Sequence, residues 1–277
     1  MPTVGDRVER YYGRGEILGS IRRALTAMGK DSGPMSPADL APVDEFHIRG
    51  REATAELASR VGLAPGMRVL DVGCGLGGSV RYLAAEHRCR AIGIDLTLEY
   101  IEAARALAEL LGLKDEVEFR QGNALDLPFE DAAFDVVWTE HAQMNIPDKR
   151  AFYAELARVL VPQGRLAFHD VFQGSGGPPV FPVPWAEGSS LSFLATPNQA
   201  RTILAEVGLR VLDWEDMTRQ SLEWFVEARA KRERFGPPPL GLDLLMGSTA
   251  KTKIDDLIHN LREDRVAVVQ AVAEKAH

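Results

Sequence analysis

Between residues 51 and 171 the apolar positions switch repeatedly between two periods. At Glu52–Val61 they recur every three or four residues, as on one face of a helix, and Leu63-Ala64-Pro65-Gly66 ends the pattern. Met67–Val72 is a short apolar run of strand type, Gly73–Gly78 a loop, and Ser79–Glu86 a second helical stretch. A strand at Arg90–Ile94 follows, then a helix that Thr97 caps, with Ile101, Ala104, Ala108 and Leu111 on its apolar face and Gly112 as its stop signal. Further strands are predicted at Val117–Arg120, Phe134–Thr139 and Arg165–Val171. Asp148 caps a helix between the last two, whose apolar face carries Phe152, Leu156, Val159 and Leu160.

Strands alternating with helices predict an α/β fold: a doubly wound, Rossmann-like, mostly parallel sheet with helices on both faces. Right-handed crossovers then put a binding crevice at the carboxyl ends of the strands. Residues 1–50 mix short helical patterns with turns and are expected to form an N-terminal helical lid segment. Residues 172–277 are expected to supply a substrate lid, the remaining strands and a C-terminal helical insertion. The lid reading rests on 173–190 (QGSGGPPVFPVPWAEGSS), too long and proline-laden for a tight connection, and on Phe181, Trp185 and Phe193, aromatic surface that a plain linker has little use for. Beyond it, helices are predicted at Ala200–Val207, Thr218–Arg234 and Ile254–Glu263, and a sixth strand at Leu209–Asp213. Periodicity leaves the run VAVVQAVA from Val266 open between helix and strand; a closing strand is the expectation.

Composition narrows the function classes. With 277 residues, 45% hydrophobic and 26% charged, the chain can bury the core of one large domain. Lys and Arg number 32 against 40 Asp and Glu, a net charge of -8 without a basic block, so no nucleic-acid partner is expected. Cys74 and Cys89 belong to no CxxC or Cys/His cluster, which predicts neither a disulfide framework nor a metal site. A charged amino terminus and the lack of any apolar run near the roughly 20 residues of a membrane span lead to the expectation of a soluble, cytoplasmic protein with no membrane partner. Whether it forms a homodimer is left open.

The chemistry sits in Val69-Leu70-Asp71-Val72-Gly73-Cys74-Gly75-Leu76-Gly77-Gly78. Glycines 73, 75 and 78 satisfy GxGxxG, and Asp95 ends the next strand, so pattern alone allows a dinucleotide site. Asp71, however, would face a pyrophosphate with no cation in the loop to compensate. S-adenosylmethionine carries an ammonium, a carboxylate and a sulfonium, and no phosphate. An acidic residue at this mouth suits its positive charges, while the glycines let backbone approach its amino-acid portion. Two rival readings remain: an NAD-dependent oxidoreductase, and a non-catalytic cofactor-binding scaffold protein.

VLDVGCGLGGS, GIDLT, QGNALDLPFEDAAFDVVW and ARVLVPQGRLAFHD closely resemble, in order and spacing, the successive motifs of class I S-adenosylmethionine-dependent methyltransferases. The resemblance covers about residues 51–171, which it marks as the S-adenosylmethionine-binding core. Within that superfamily the chain is similar to the small-molecule branch of sarcosine/dimethylglycine N-methyltransferases, sterol and tocopherol C-methyltransferases and natural-product sugar O-methyltransferases. FHIRGREAT is similar to the first of these.

The resemblance implies that Asp71, Gly73 and Gly75 hold the methionine portion, with Gly77 shaping the loop. It implies that Asp95 binds the ribose, that Leu96 packs beside the adenine, and that Asn123 and Ala124 lie at the adenine edge, where relatives often have Asp. Glu140 and His141 would lie beside the transferred methyl. For His47 and Arg49 the default is a surface role, and closing over the cofactor carboxylate is the alternative. Val161-Pro162-Gln163-Gly164 departs from the Lys-Pro-Gly-Gly common in relatives. The implied activity is methyl transfer to an amine or hydroxyl of a small soluble metabolite. His141 is the first candidate general base, since imidazole titrates near neutrality; shaping the cavity wall is its alternative. Asp170 is the second candidate, with loop bracing as its alternative. His169 should point to the opposite face of its strand and be structural. Trp185 and Phe193 are the lid aromatics expected to meet a substrate.

Overall fold

A computed structural model describes residues 2–13, 15–30 and 33–276. In chain order the elements are α1 (Val4–Tyr12), α2 (Ile17–Ala27), α3 (Pro37–Asp44), α4 (Arg51–Val61), β1 (Arg68–Val72), α5 (Gly78–His87), β2 (Arg90–Asp95), α6 (Leu98–Leu110), β3 (Val117–Gln121) and β4 (Phe134–Glu140). There follow α7 (Lys149–Val159), β5 (Leu160–Gln173), α8 (Pro197–Glu206), β6 (Leu209–Asp216), α9 (Thr218–Phe235), α10 (Asp243–Met246), α11 (Ala250–Arg262) and β7 (Val266–Lys275).

Local chemistry explains the boundaries. Asp148 accepts a hydrogen bond from the Ala151 backbone N–H at the start of α7, and Thr196 and Gln199 form a reciprocal capping box on α8. The helix signals at 52–61, 79–86, 200–207 and 218–234 all fall inside α4, α5, α8 and α9, apart from Val207, which caps α8. One assignment needs correction. Leu160 is not on the face of α7; it opens β5 and pairs with Phe134, after which the register jumps to Val136 opposite Arg165. The Val161–Gly164 stretch is thus an irregularity inside a strand, with Gln163 in the left-handed region at φ 64°.

The seven strands form one sheet in the order β3-β2-β1-β4-β5-β7-β6. The pairs from β3 to β5 are parallel, and β7 inserts antiparallel between β5 and β6. The VAVVQAVA run is therefore a strand with neighbours on both edges, which accounts for its nearly continuous burial. Alternation along β1 sends Leu70 and Val72 into one apolar cluster with Phe152 and Phe168, and Val69 into another with Leu57, Leu83 and Trp138. Strand order reverses between β1 and β4, and the crevice opens at their carboxyl ends. Over it lie α1 and the 183–185 loop: Tyr11 Oη donates to Pro184 O at 2.9 Å, and Tyr12 Oη donates to Asn145 Oδ1 at 2.9 Å. Among the described residues no helix is long and apolar enough to cross a membrane.

Candidate active site

A cavity of about 240 Å³ occupies the crevice, walled by the β1 glycine loop, the ends of β2 and β4, the segment after β3, α1 and the 184–185 loop. Two glycines are required by its geometry. A Cβ on Gly73, at φ 81°, would stand 2.7 Å from the Ala142 side chain, so only glycine lets this turn approach the segment after β4. Gly77, at φ 79°, would drive a Cβ to 2.4 Å from the Phe119 ring. Gly77 itself does not line the cavity; it shapes the loop from behind.

Asp95 pins that loop. Its Oδ2 accepts from the Gly75 N–H at 2.9 Å and its Oδ1 from the Thr97 N–H at 2.8 Å. Asp71 is different. It is buried, yet among the described residues no donor approaches its carboxylate, and burial together with Glu140, Asp95 and Glu45 pushes its pKa well above the carboxylate range. A buried carboxylate in that condition fits a ligand that brings a cation. Leu96, Asn123 and Ala124 line the cavity. Asn123 Oδ1 accepts from the Leu125 N–H at 3.0 Å, which leaves its amide NH2 group for a ligand edge.

Glu140, at the end of β4, is the hub of a buried polar network. Its carboxylate accepts from Ser79 Oγ at 2.6 Å, from Trp138 Nε1 at 2.8 Å and from Thr54 Oγ1 at 3.3 Å, with His47 Nε2 also at 3.3 Å. Glu45 stands behind it, paired with Arg51; burial pushes its pKa up to about 7, against the pull of His47 and Arg51. Neither Ser79, Thr54 nor Glu45 is apparent from sequence, although Ser79 directly follows the glycine run at the start of α5, a place suited to a polar contact.

His141 lines the cavity with its backbone in the left-handed region at φ 50°. Its Nε2 accepts a long, 3.4 Å bond from the Ile48 N–H, which places the ring proton on Nδ1. The ring stacks on His169 at 5.3 Å, and burial with two neighbouring histidines holds its pKa well below the usual imidazole value. His169 is fully buried and donates from Nε2 to Ile48 O at 3.0 Å, a structural role.

Three expectations are corrected. Asp170 does not line the cavity: its Oδ2 accepts from the Ala142 and Gln143 N–H groups at 3.1 Å each, and its Oδ1 from the Val171 N–H at 2.8 Å, so it braces the turn after β4. Arg49 pairs with Glu56 at 2.8 Å, outside the cavity, because its left-handed backbone (φ 69°) precedes the turn into α4. Phe193 also lies elsewhere, its backbone bonded to Met144 O at 2.8 Å, whereas Trp185 does line the cavity. Sequence reading named neither Tyr12 nor Asn145, which are 133 residues apart and meet only through the fold.

Comparison with known proteins adds an independent observation. A family model described as a methyltransferase domain matches residues 70–168. The probable chloroplastic tocopherol O-methyltransferase of Oryza sativa subsp. japonica is 48% identical over 98 residues, 35% of this chain and 27% of that one. The chain thus spans about a quarter of the rice protein. O-methyltransferase rstn1 of Aspergillus nomiae is 31% identical over 175 residues, covering 63% of this chain and 78% of its own. Among solved structures, phosphoethanolamine N-methyltransferase 2 of Haemonchus contortus, in complex with S-adenosyl-L-methionine, superposes with a TM-score of 0.76 at 19% identity, over 100% of this chain and 61% of that one.

Proposed function

This chain belongs to the class I S-adenosylmethionine-dependent methyltransferases, and from that premise we propose that it transfers a methyl group to an amine or hydroxyl of a small metabolite. One observation carries the reading. Asp71, Asp95 and Glu140 face a glycine-walled cavity that, among the described residues, is lined by no Lys or Arg. Such a site favours a cofactor with a sulfonium and an ammonium and disfavours a pyrophosphate.

When bound, S-adenosylmethionine supplies an electrophilic methyl on a leaving group that departs neutral. The protein's part is placement and proton handling. Asp71 accepts the ammonium; Gly73 and Gly75 admit the methionine portion; Asp95 accepts from the ribose hydroxyls while its other bonds hold the loop. Leu96, Asn123 and Ala124 meet the adenine. Tyr12, Trp185 and α1 exclude water above the reacting atoms. His141, a neutral imidazole, accepts the proton released by the acceptor through Nε2, in exchange for the weak bond from Ile48. His141 would then carry that proton in a cavity that Asp71, Asp95 and Glu140 also line. Cys74 and Cys89 are both unpaired and buried, which suits a reducing, cytoplasmic setting.

The test is calorimetry with S-adenosylhomocysteine and, separately, NAD, on the wild type and on Asp71→Ala and Asp95→Ala. Binding of S-adenosylhomocysteine that either substitution abolishes, followed by transfer of labelled methyl to an amine or hydroxyl, is expected. Binding of NAD alone would replace the reading with an oxidoreductase, and binding without turnover would favour a scaffold.

A further inference from the structure

The glycine loop, the end of β2 and the segment after β3 are taken up by the cofactor, so the acceptor must meet what remains. That remainder is the end of β4, the turn at 143–145, α1, the 184–185 loop and Leu245. Its body is apolar: Val8, Met144, Trp185 and Leu245, the last three almost fully buried. Its polar atoms are already committed in one direction. Both amide hydrogens of Asn145 go to carbonyls, of Trp185 at 2.9 Å and of Leu191 at 2.8 Å, and its oxygen accepts from Tyr12. Tyr12 has therefore given its only hydrogen away, leaving its oxygen free to accept. His141 offers an imidazole lone pair held only by a long bond, and Glu140, also on the cavity wall, is a further acceptor to which Ser79, Trp138 and Thr54 already donate.

Among the described residues no Lys or Arg lines the cavity to balance these acceptors. The buried cations among the described residues are spent elsewhere: Arg81 on Asp44 at 2.5 Å, Lys253 on Glu187 at 2.7 Å, and Lys149 on the carbonyls of Gln143, Ile146 and Phe193. Of the carboxylates that line the cavity, Asp44 is paired with Arg81 and Glu140 stands 3.3 Å from His47 Nε2, whereas Asp71 and Asp95 have no ion-pair partner among the described residues. An acceptor bearing a carboxylate or phosphate would bring its charge beside these carboxylates in a partly buried site where, among the described residues, no Lys or Arg lines the wall to receive it. A hydroxyl brings one donor to a wall of acceptors.

Resting on the methyltransferase reading, we infer that the acceptor is an uncharged hydroxyl compound with an apolar body, and that the cavity selects against acceptors bearing carboxylate or phosphate. The reaction balances simply: the acceptor oxygen bonds to the methyl carbon as the carbon–sulfur bond breaks, and the hydroxyl proton goes to His141.

The experiment compares probes of one skeleton. The wild-type protein is first shown to bind S-adenosylhomocysteine; failure there would sink the methyltransferase reading itself. Methyl transfer from S-adenosylmethionine to hydroquinone, 4-hydroxybenzoate and 4-hydroxyphenyl phosphate is then measured. The expected result is a kcat/KM for hydroquinone at least about tenfold above either anion. In Val8→Lys, which sets an ammonium beside the acceptor space, the gap should narrow mainly through KM for the anions. Equal or better turnover of an anion by the wild type would overturn the inference, as would no transfer to hydroquinone by a protein that binds S-adenosylhomocysteine.

Discussion

The indole Nε1 of Trp138 donates a 2.8 Å hydrogen bond to Oε2 of Glu140, two residues further along β4. Residues two apart on a strand share a face, so a fully buried tryptophan anchors a cavity carboxylate from beneath. Replacing the indole by phenyl keeps an aromatic ring but removes the donor. Trp138→Phe should weaken S-adenosylhomocysteine binding by roughly threefold to tenfold, the net worth of one ordinary hydrogen bond. A fall in Tm of a few degrees from the smaller ring should accompany it. Calorimetry beside a thermal melt separates the two; unchanged affinity would show that Ser79 and Thr54 suffice to hold Glu140.

Binding should release protons. Asp71 sits well above the usual carboxylate pKa and Glu45 at about 7, in both cases chiefly through burial. The ligand's ammonium favours their ionised forms, so protons leave as it enters. Affinity for S-adenosylhomocysteine should therefore rise from about pH 5 to about pH 8 and level off above. Titrations in buffers of different ionisation enthalpy measure the proton count directly. In Asp71→Asn the count should drop and the affinity fall by about tenfold or more. No dependence on buffer would mean that these groups keep their protons in the complex.

The parts of this site that sequence discloses are those written in consecutive residues. The Asp71–Gly78 loop, the acidic end of β2 at Asp95 and the alternation that builds the sheet all depend on local spacing. Asp170 shows where that information stops. An acidic residue at a strand end looks the same in sequence whether it faces substrate or braces a turn. Only the position of the Ala142 and Gln143 N–H groups, 28 and 27 residues away, decides it. Trp185 and Phe193 differ for the same reason: composition marks the segment around 173–193 as aromatic, but the turn that puts Trp185 on the cavity wall and Phe193 elsewhere is tertiary. The Tyr12–Asn145 bond lies beyond any periodicity.

Gly77 offers a test of the loop that leaves the chemistry alone. A methyl group there meets Phe119 at 2.4 Å on a backbone at φ 79°. Gly77→Ala should cost about 2–4 kcal/mol, combining left-handed strain of about 1–2 kcal/mol with overpacking. Urea melts of Gly77→Ala, Phe119→Leu and the double variant form a cycle. The double variant should be more stable than the sum of the single losses allows, because trimming the ring removes the clash while the strain stays. Additive losses would place the cost in the backbone alone.

Burial of a neutral His169 should be felt in acid. Its pKa is pushed down to about 3 from the ordinary imidazole range near 6.5, mainly by desolvation. Between those values the unfolded chain binds a proton that the folded protein does not, so this residue's contribution to stability is lost as pH falls from about 6.5 toward 3. The loss over that window is a few kcal/mol. His169→Gln should lower stability at pH 7, where the bond to Ile48 is disturbed, yet show a shallower decline from pH 7 to pH 4 in urea melts. A parallel decline would assign the acid sensitivity to other groups.

His141 and Asp170 can be told apart by what each variant spares. Asp170 holds three backbone N–H groups, and burial pushes its pKa up to about 6 against their pull. Asp170→Asn turns an acceptor into a donor facing donors. It should cost about 1–3 kcal/mol of stability, a Tm fall of roughly 3–10 °C, with affinity for S-adenosylhomocysteine reduced as the turn after β4 loosens. His141→Gln keeps a polar side chain at the cavity wall but cannot take a proton at neutral pH. Its kcat should fall by about 100-fold or more, with Tm and cofactor affinity little changed. The pH profiles carry the distinction further. If His141 is the base, the acid limb of the wild-type kcat profile should vanish in His141→Gln and persist in Asp170→Asn. Loss of that limb in Asp170→Asn instead would return the carboxylate to the chemistry, acting through a turn that moves on binding.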